Sequence, residues 1–156
     1  VQTCALPISI KRTWLRYLAY ALVPLALYFV NVEYQTWRGE QALAETALDF
    51  QPLDVALAKA RTSGKPVLAD FSAIWCPACR RLHAEVFTDA AVKAAISGGY
   101  ELSRIDYESA EAPAFMKRYG VSGFPSLLLL DREGRLLRRL PLTFDPAAFA
   151  AELKPG

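Results

Sequence analysis

From Tyr17 to Val32 the chain reads YLAYALVPLALYFVNV, sixteen residues without a charge. A helix that is apolar on every side has no face for water, so this run does not suit the surface of a globular domain. Thr13 to Leu15 extend it towards the roughly 20 residues that cross a bilayer, and Trp14, Tyr17, Tyr28 and Tyr34 stand where interface aromatics stand. We read residues 13–32 as a transmembrane signal anchor, with Pro24 tolerated inside the span. Lys11, Arg12 and Arg16 precede the run and Glu33 follows it, so the positive-inside rule puts residues 1–12 in the cytoplasm and everything after the span outside. A cleaved signal peptide would want a small-x-small site directly after the run. Asn31-Val32-Glu33-Tyr34 offers none, and Ala42-Leu43-Ala44 comes about ten residues late.

The remaining length suits one domain of ordinary size, since the chain has 156 residues in all. Hydrophobic residues are 53% and charged residues 22%, a balance that supports a core and excludes disorder throughout. The net charge is only +2. After residue 40 the charges cancel at 14 basic and 14 acidic, so the body lacks the basic excess of a nucleic-acid binder. Residues 1–8, Val-Gln-Thr-Cys-Ala-Leu-Pro-Ile, look like the translation of a sequencing-adaptor oligonucleotide, an assembly artefact; Cys4 is accordingly assigned no role.

Beyond the anchor, residues 33–50 read as a linker or short helix, and residues 51–156 as the folded domain. Apolar residues recur at helical spacing over 52–61, before the stop Ser63-Gly64-Lys65-Pro66. Val67 to Phe71 is a short apolar strand, and a helix starts at Cys76 and runs to about Val86. Helical turns follow over 89–96, then a strand over 102–106 and a helix from Ala112 to Tyr119, stopped by Gly120. Ser126 to Leu130 is the third strand, and Asp131-Arg132-Glu133-Gly134 turns it into a fourth over 135–140. Pro146 after Asp145 opens the last helix. This order predicts an α/β fold in which one mixed sheet of four to five strands is flanked by helices.

Trp75-Cys76-Pro77-Ala78-Cys79 follows an apolar strand and opens a helix. Residues i and i+3 of a first helical turn have Cβ atoms about 5–6 Å apart, a small adjustment from the roughly 3.5–4.5 Å of a disulfide. At a helix N-terminus, unpaired N–H groups and the positive dipole end favour a thiolate at Cys76. Pro77 fits a first-turn position that has no use for its N–H. Arg80 and Arg81 add a weak positive potential. Haem attachment would need His at position 80, where Arg80 stands, and a zinc site would need ligands beyond His83, the single histidine. No metal and no cofactor is expected. A static structural disulfide stays open as the alternative, and His83 reads as an ordinary exposed helix residue.

Phe71-Ser72-Ala73-Ile74-Trp75-Cys76-Pro77-Ala78-Cys79 resembles the active-site segment of the thioredoxin superfamily. Gly64-Lys65-Pro66-Val67, Glu85-Val86-Phe87-Thr88-Asp89 and Tyr119-Gly120-Val121-Ser122-Gly123-Phe124-Pro125-Ser126 extend the likeness over about residues 50–154. Within the superfamily, the branch it is most similar to is the C-terminal periplasmic domain of the DsbD thiol:disulfide interchange proteins. The resemblance implies a thioredoxin-like fold, a cis-proline at Pro125, and a substrate-binding edge of Trp75, Phe124 and Pro125. It implies redox tuning by Pro77 and Ala78 between the catalytic cysteines. It also matches Asp70 to the acid buried behind the disulfide, which helps Cys79 lose its proton; the lysine that neighbours this acid in cytosolic thioredoxins aligns with Leu102 here, so a purely structural Asp70 is the alternative.

What the resemblance implies about function is a protein-disulfide reductase of the bacterial inner membrane, single-pass, with its catalytic domain in the periplasm. Its partners would be disulfide-containing client proteins, such as those of cytochrome c biogenesis, and a membrane electron donor of the DsbD/CcdA type. The alternatives are a periplasmic thiol oxidase or isomerase, and a non-catalytic tethered binding or chaperone module with a structural disulfide.

Overall fold

The computed structural model describes residues 9–154; residues 1–8, with Cys4 and the adaptor-like octapeptide, lie outside them. Helix α1 spans Ser9–Thr46 with Pro24 inside it. Two units divide the chain, one ending at Tyr34 and one beginning at Gln35. In the first, every described side chain from Arg16 to Asn31 is exposed, and the helix is long and apolar enough to cross a membrane. The segment 33–50, expected as a linker or short helix, is helical as far as Thr46, and its residues from Gln35 on belong to the second unit.

In the second unit, Leu53–Ser63 forms α2, Val67–Ser72 β1, Pro77–Arg81 α3, Ala90–Gly99 α4, Glu101–Asp106 β2, Ala112–Tyr119 α5, Ser126–Leu130 β3, Leu136–Leu140 β4 and Pro146–Glu152 α6. The order matches the expectation from the sequence, with one difference: the helix expected from Cys76 to Val86 passes at Leu82–Val86 into a π-helical turn. Local chemistry sets the element ends. Asp89 caps α4 by accepting from Ala91 and Val92 N–H, and Asp145 caps α6 by accepting from Ala147 N–H behind Pro146. Gly120 ends α5 at φ 61°, a left-handed position that costs a side-chain-bearing residue more than glycine.

The four strands lie in the order β2-β1-β3-β4, with β1 parallel to β2 and antiparallel to β3, and β4 antiparallel to β3. This is the mixed, helix-flanked sheet of a thioredoxin-like fold. Alternation along β1 divides the core in two. Val67, Ala69 and Phe71 pack with Ala56, Leu57 and Ala60 of α2 and with Ala112, Phe115 and Tyr119 of α5. Leu68 packs on the opposite side with Leu82, Val86, Phe87, Val92, Ile96 and Phe149, under α3, α4 and α6.

Candidate functional site

The C-terminal end of β1 aims the chain at a short loop, Ala73-Ile74-Trp75, which delivers Cys76 to the N-cap of α3. Cys76 is extended there (φ −73°, ψ 120°), and its Sγ accepts the Cys79 N–H at 3.2 Å. A sulfur held on a helix-terminal N–H, with Pro77 in the first turn, is where a thiolate is stabilised. Both cysteines are free thiols; Cys76 is 5% exposed and Cys79 wholly buried. Burial first, then the hydrogen bond to Cys76, push the Cys79 thiol well above the usual thiol range, and the charge of Asp70 pushes the same way. The pair is therefore asymmetric: Cys76 sits at the helix end, and Cys79 needs help to ionise.

Phe124, with Ala78, packs against the cluster of Ala73, Cys76 and Cys79, and the Phe124–Pro125 peptide is cis. Trp75, 36% exposed, meets the Phe124 ring edge-on at 5.4 Å. Two further residues, not singled out by the sequence, complete this rim. The exposed Tyr107 ring lies 5.0 Å from Phe124, and Glu108 Oε1 accepts the Trp75 indole N–H at 3.1 Å. Their place right after β2, whose end lies beside the end of β1 in a parallel pair, was the signal available.

Asp70 is fully buried beneath this rim, and its Oδ2 lies 2.7 Å from His83 Nε2 and accepts from Ser72 Oγ at 3.2 Å. His83 is thus not the exposed residue expected from the sequence: it is 3% exposed, against the rings of Phe50 and Phe87. Leu102 lies opposite Leu68, whereas the residue across from Asp70 is Arg104, which donates to Ser72 Oγ at 3.1 Å and pairs with Asp106. A cation thus stands in the Asp70 network after all, one hydroxyl away. Arg80 and Arg81, expected to add positive potential, have other partners: Arg80 donates to Gln35 Oε1 at 2.7 Å, and Arg81 pairs with Glu85 and lies over the Phe144 ring.

The residues 35–46 take part in the site's frame. Gly39, Ala42 and Thr46 form a buried stripe at helical spacing. A Cβ at Gly39 would stand 1.9 Å from the carbonyl oxygen of Ile74, in the loop before Cys76. Only a residue without a side chain permits that approach. No group of His, Cys, Asp or Glu suited to a metal ion occurs among the described residues.

Comparison with known proteins agrees with this geometry. A family model described as a thioredoxin-like domain matches residues 53–155. The thiol:disulfide interchange protein DsbD of Salmonella paratyphi A is 32% identical over 154 residues, which cover 92% of this chain and 27% of that protein. The chain thus spans about a quarter of the length of the curated relatives it matches. Among solved structures, the oxidised C-terminal domain of Neisseria meningitidis DsbD superimposes with a TM-score of 0.56 at 26% identity, over 64% of this chain and 89% of that one. A thioredoxin from Thermus thermophilus superimposes with a TM-score of 0.60 at 25% identity, over 68% and 84%.

Proposed function

Because this chain belongs to the thioredoxin-like family, as a DsbD-like member of the thioredoxin superfamily, we propose that it is a membrane-anchored protein-disulfide reductase working through Cys76 and Cys79. The observation that carries the reading is the asymmetry of the pair: one thiol at a helix N-cap beneath an aromatic rim, the other buried three residues on. Cys76 thiolate attacks a client disulfide, forming a mixed disulfide and releasing one client sulfur as a thiolate. Cys79, deprotonated with the help of Asp70, then attacks Cys76 Sγ. The Cys76–client bond breaks, its electron pair leaves on the second client sulfur, and the cysteine pair ends oxidised by two electrons. Trp75, Phe124 and Pro125 hold the client segment, while Pro77 and Ala78 tune the potential.

The anchor and its flanking charges support a single-pass protein of the bacterial inner membrane with its redox domain in the periplasm. Resetting the pair there calls for a membrane electron donor of the DsbD/CcdA type, since that compartment is oxidising. The reading is tested by equilibrating the full chain, in detergent and with Cys4→Ser, against glutathione and dithiothreitol buffers. A potential at or below about −220 mV supports a reductant, and one near −120 mV would make it an oxidant. Cys76→Ser is expected to abolish insulin reduction and Cys79→Ser to trap a mixed disulfide. Full turnover in either variant would overturn the mechanism through Cys76 and Cys79, and no insulin reduction by the unsubstituted protein would leave the non-catalytic module as the better reading.

A further inference from the structure

His83 is the chain's single histidine, and the fold places it where an apolar side chain would pack at lower cost. The π turn faces Leu82, His83 and Val86 inward while Ala84 and Glu85 face solvent, and such turns are frequent at functional sites. Burying an imidazole against a carboxylate desolvates both, and replacing such a pair by well-packed apolar residues is often neutral or stabilising. Stability alone does not explain the pair.

Its geometry does. Asp70 Oδ2 is held from two sides, by His83 Nε2 and the Ser72 hydroxyl, while Oδ1 is buried and without a hydrogen-bond partner among the described residues. A carboxylate fixed in this way has one oxygen left to take a proton. The titratable and charged groups around the imidazole are Asp70 from β1, Arg104 from β2 through Ser72, and Cys79 from α3 through the field of Asp70; the rings of Phe50 and Phe87 also lie against it.

We propose that His83 is a positioning residue for the resolving step: it fixes Asp70 so that Oδ1 receives the Cys79 thiol proton. The inference rests on the redox reading of Cys76 and Cys79. In the step, the Cys79 proton passes to Asp70, the Cys79–Cys76 bond forms, and the bond from Cys76 to its partner sulfur breaks with the electron pair leaving on that sulfur.

The test uses the reduced full chain in detergent, with Cys4→Ser, mixed rapidly with the aromatic disulfide 5,5′-dithiobis(2-nitrobenzoate). Attack by Cys76 releases one thionitrobenzoate and resolution by Cys79 releases the second. His83→Leu is expected to slow the second release about tenfold or more, with the first within about twofold of the unsubstituted protein. His83→Gln, which can still donate to Asp70, is expected to recover part of that rate. A second-release rate in His83→Leu equal to that of the unsubstituted protein would overturn the proposal, as would a His83→Gln variant no faster than His83→Leu or equal slowing of both releases. Should the variants not fold, the single imidazole resonance of the unsubstituted protein decides by NMR at one pH: it must differ between the reduced and oxidised protein, and an unchanged resonance overturns the proposal. If the unsubstituted protein releases no second thionitrobenzoate, the redox reading itself fails, which is a different outcome.

Discussion

The two faces of strand β1 are built for different tasks. On one, Val67, Ala69 and Phe71 pack into the apolar cluster built with α2 and α5, and Phe71 also meets the Tyr107 and Phe124 rings. On the other, Leu68 is followed by Asp70 and Ser72, which meet His83 and Arg104 behind the cysteine helix. The same six residues thus supply a rigid support and, one pleat away, a polar network that dispersion and apolar burial alone would not select. What the difference teaches is where to look for chemistry: polar groups retained in a buried strand, with partners, under a reactive side chain.

The comparison is broken most severely from the apolar side. Phe71 is fully buried and stacked on Phe115 at 5.5 Å, so Phe71→Ala is expected to cost about 3–5 kcal/mol in urea unfolding of the full chain. A smaller change tests the loop that joins β1 to the cysteines. On helix propensity alone, Gly39→Ala would stabilise by about 1 kcal/mol. The close approach of Ile74 reverses the sign, and a loss of about 1–3 kcal/mol is expected. A stabilised variant would show that residues 35–46 do not press on that loop.

The gentlest test needs no substitution. Burial, with help from the Cys76 hydrogen bond and the Asp70 charge, raises the Cys79 thiol above its ordinary value near 9.0. The folded state then holds this proton more tightly than the unfolded chain. The reduced protein should therefore lose stability as pH rises through and beyond that ordinary value, while the oxidised protein, which has no thiol at Cys79, should not share the loss. Thermal melts of the two forms between about pH 7 and 10 provide the check. Parallel curves would mean that Cys79 is not desolvated. In Asp70→Asn, which removes a charge that raises the thiol, the Cys79 titration of the folded state should move to lower pH and the loss should shrink.

The element order was legible because strands and helices here carry their periods cleanly: an apolar run over Val67–Phe71 broken only by Asp70, four consecutive leucines over Leu127–Leu130, helical spacing in α2, and turn chemistry at 131–134. The cysteine pair was legible because its two residues are neighbours in sequence and their helix N-terminus follows from Pro77. His83 was not. Its neighbours Arg81, Ala84 and Glu85 read as a solvated face, and its burial depends on the π turn and on an acid thirteen residues earlier. Tyr107 and Glu108 join the rim through strand pairing, and the small-residue stripe of Gly39, Ala42 and Thr46 is visible in the sequence only once the loop it meets is known.

The sequence by itself determined the features that depend on near neighbours: an uncharged run fit for a membrane, the alternation of strands and helices, and two thiols one helical turn apart. Tertiary structure alone decided which distant groups share the ground beneath those thiols. The Asp70–His83 pair, the Arg104–Ser72 link and the Gly39–Ile74 approach are made between separate elements. Local periodicity cannot encode them, because each is fixed by how a strand, a turn and a helix meet in the packed core.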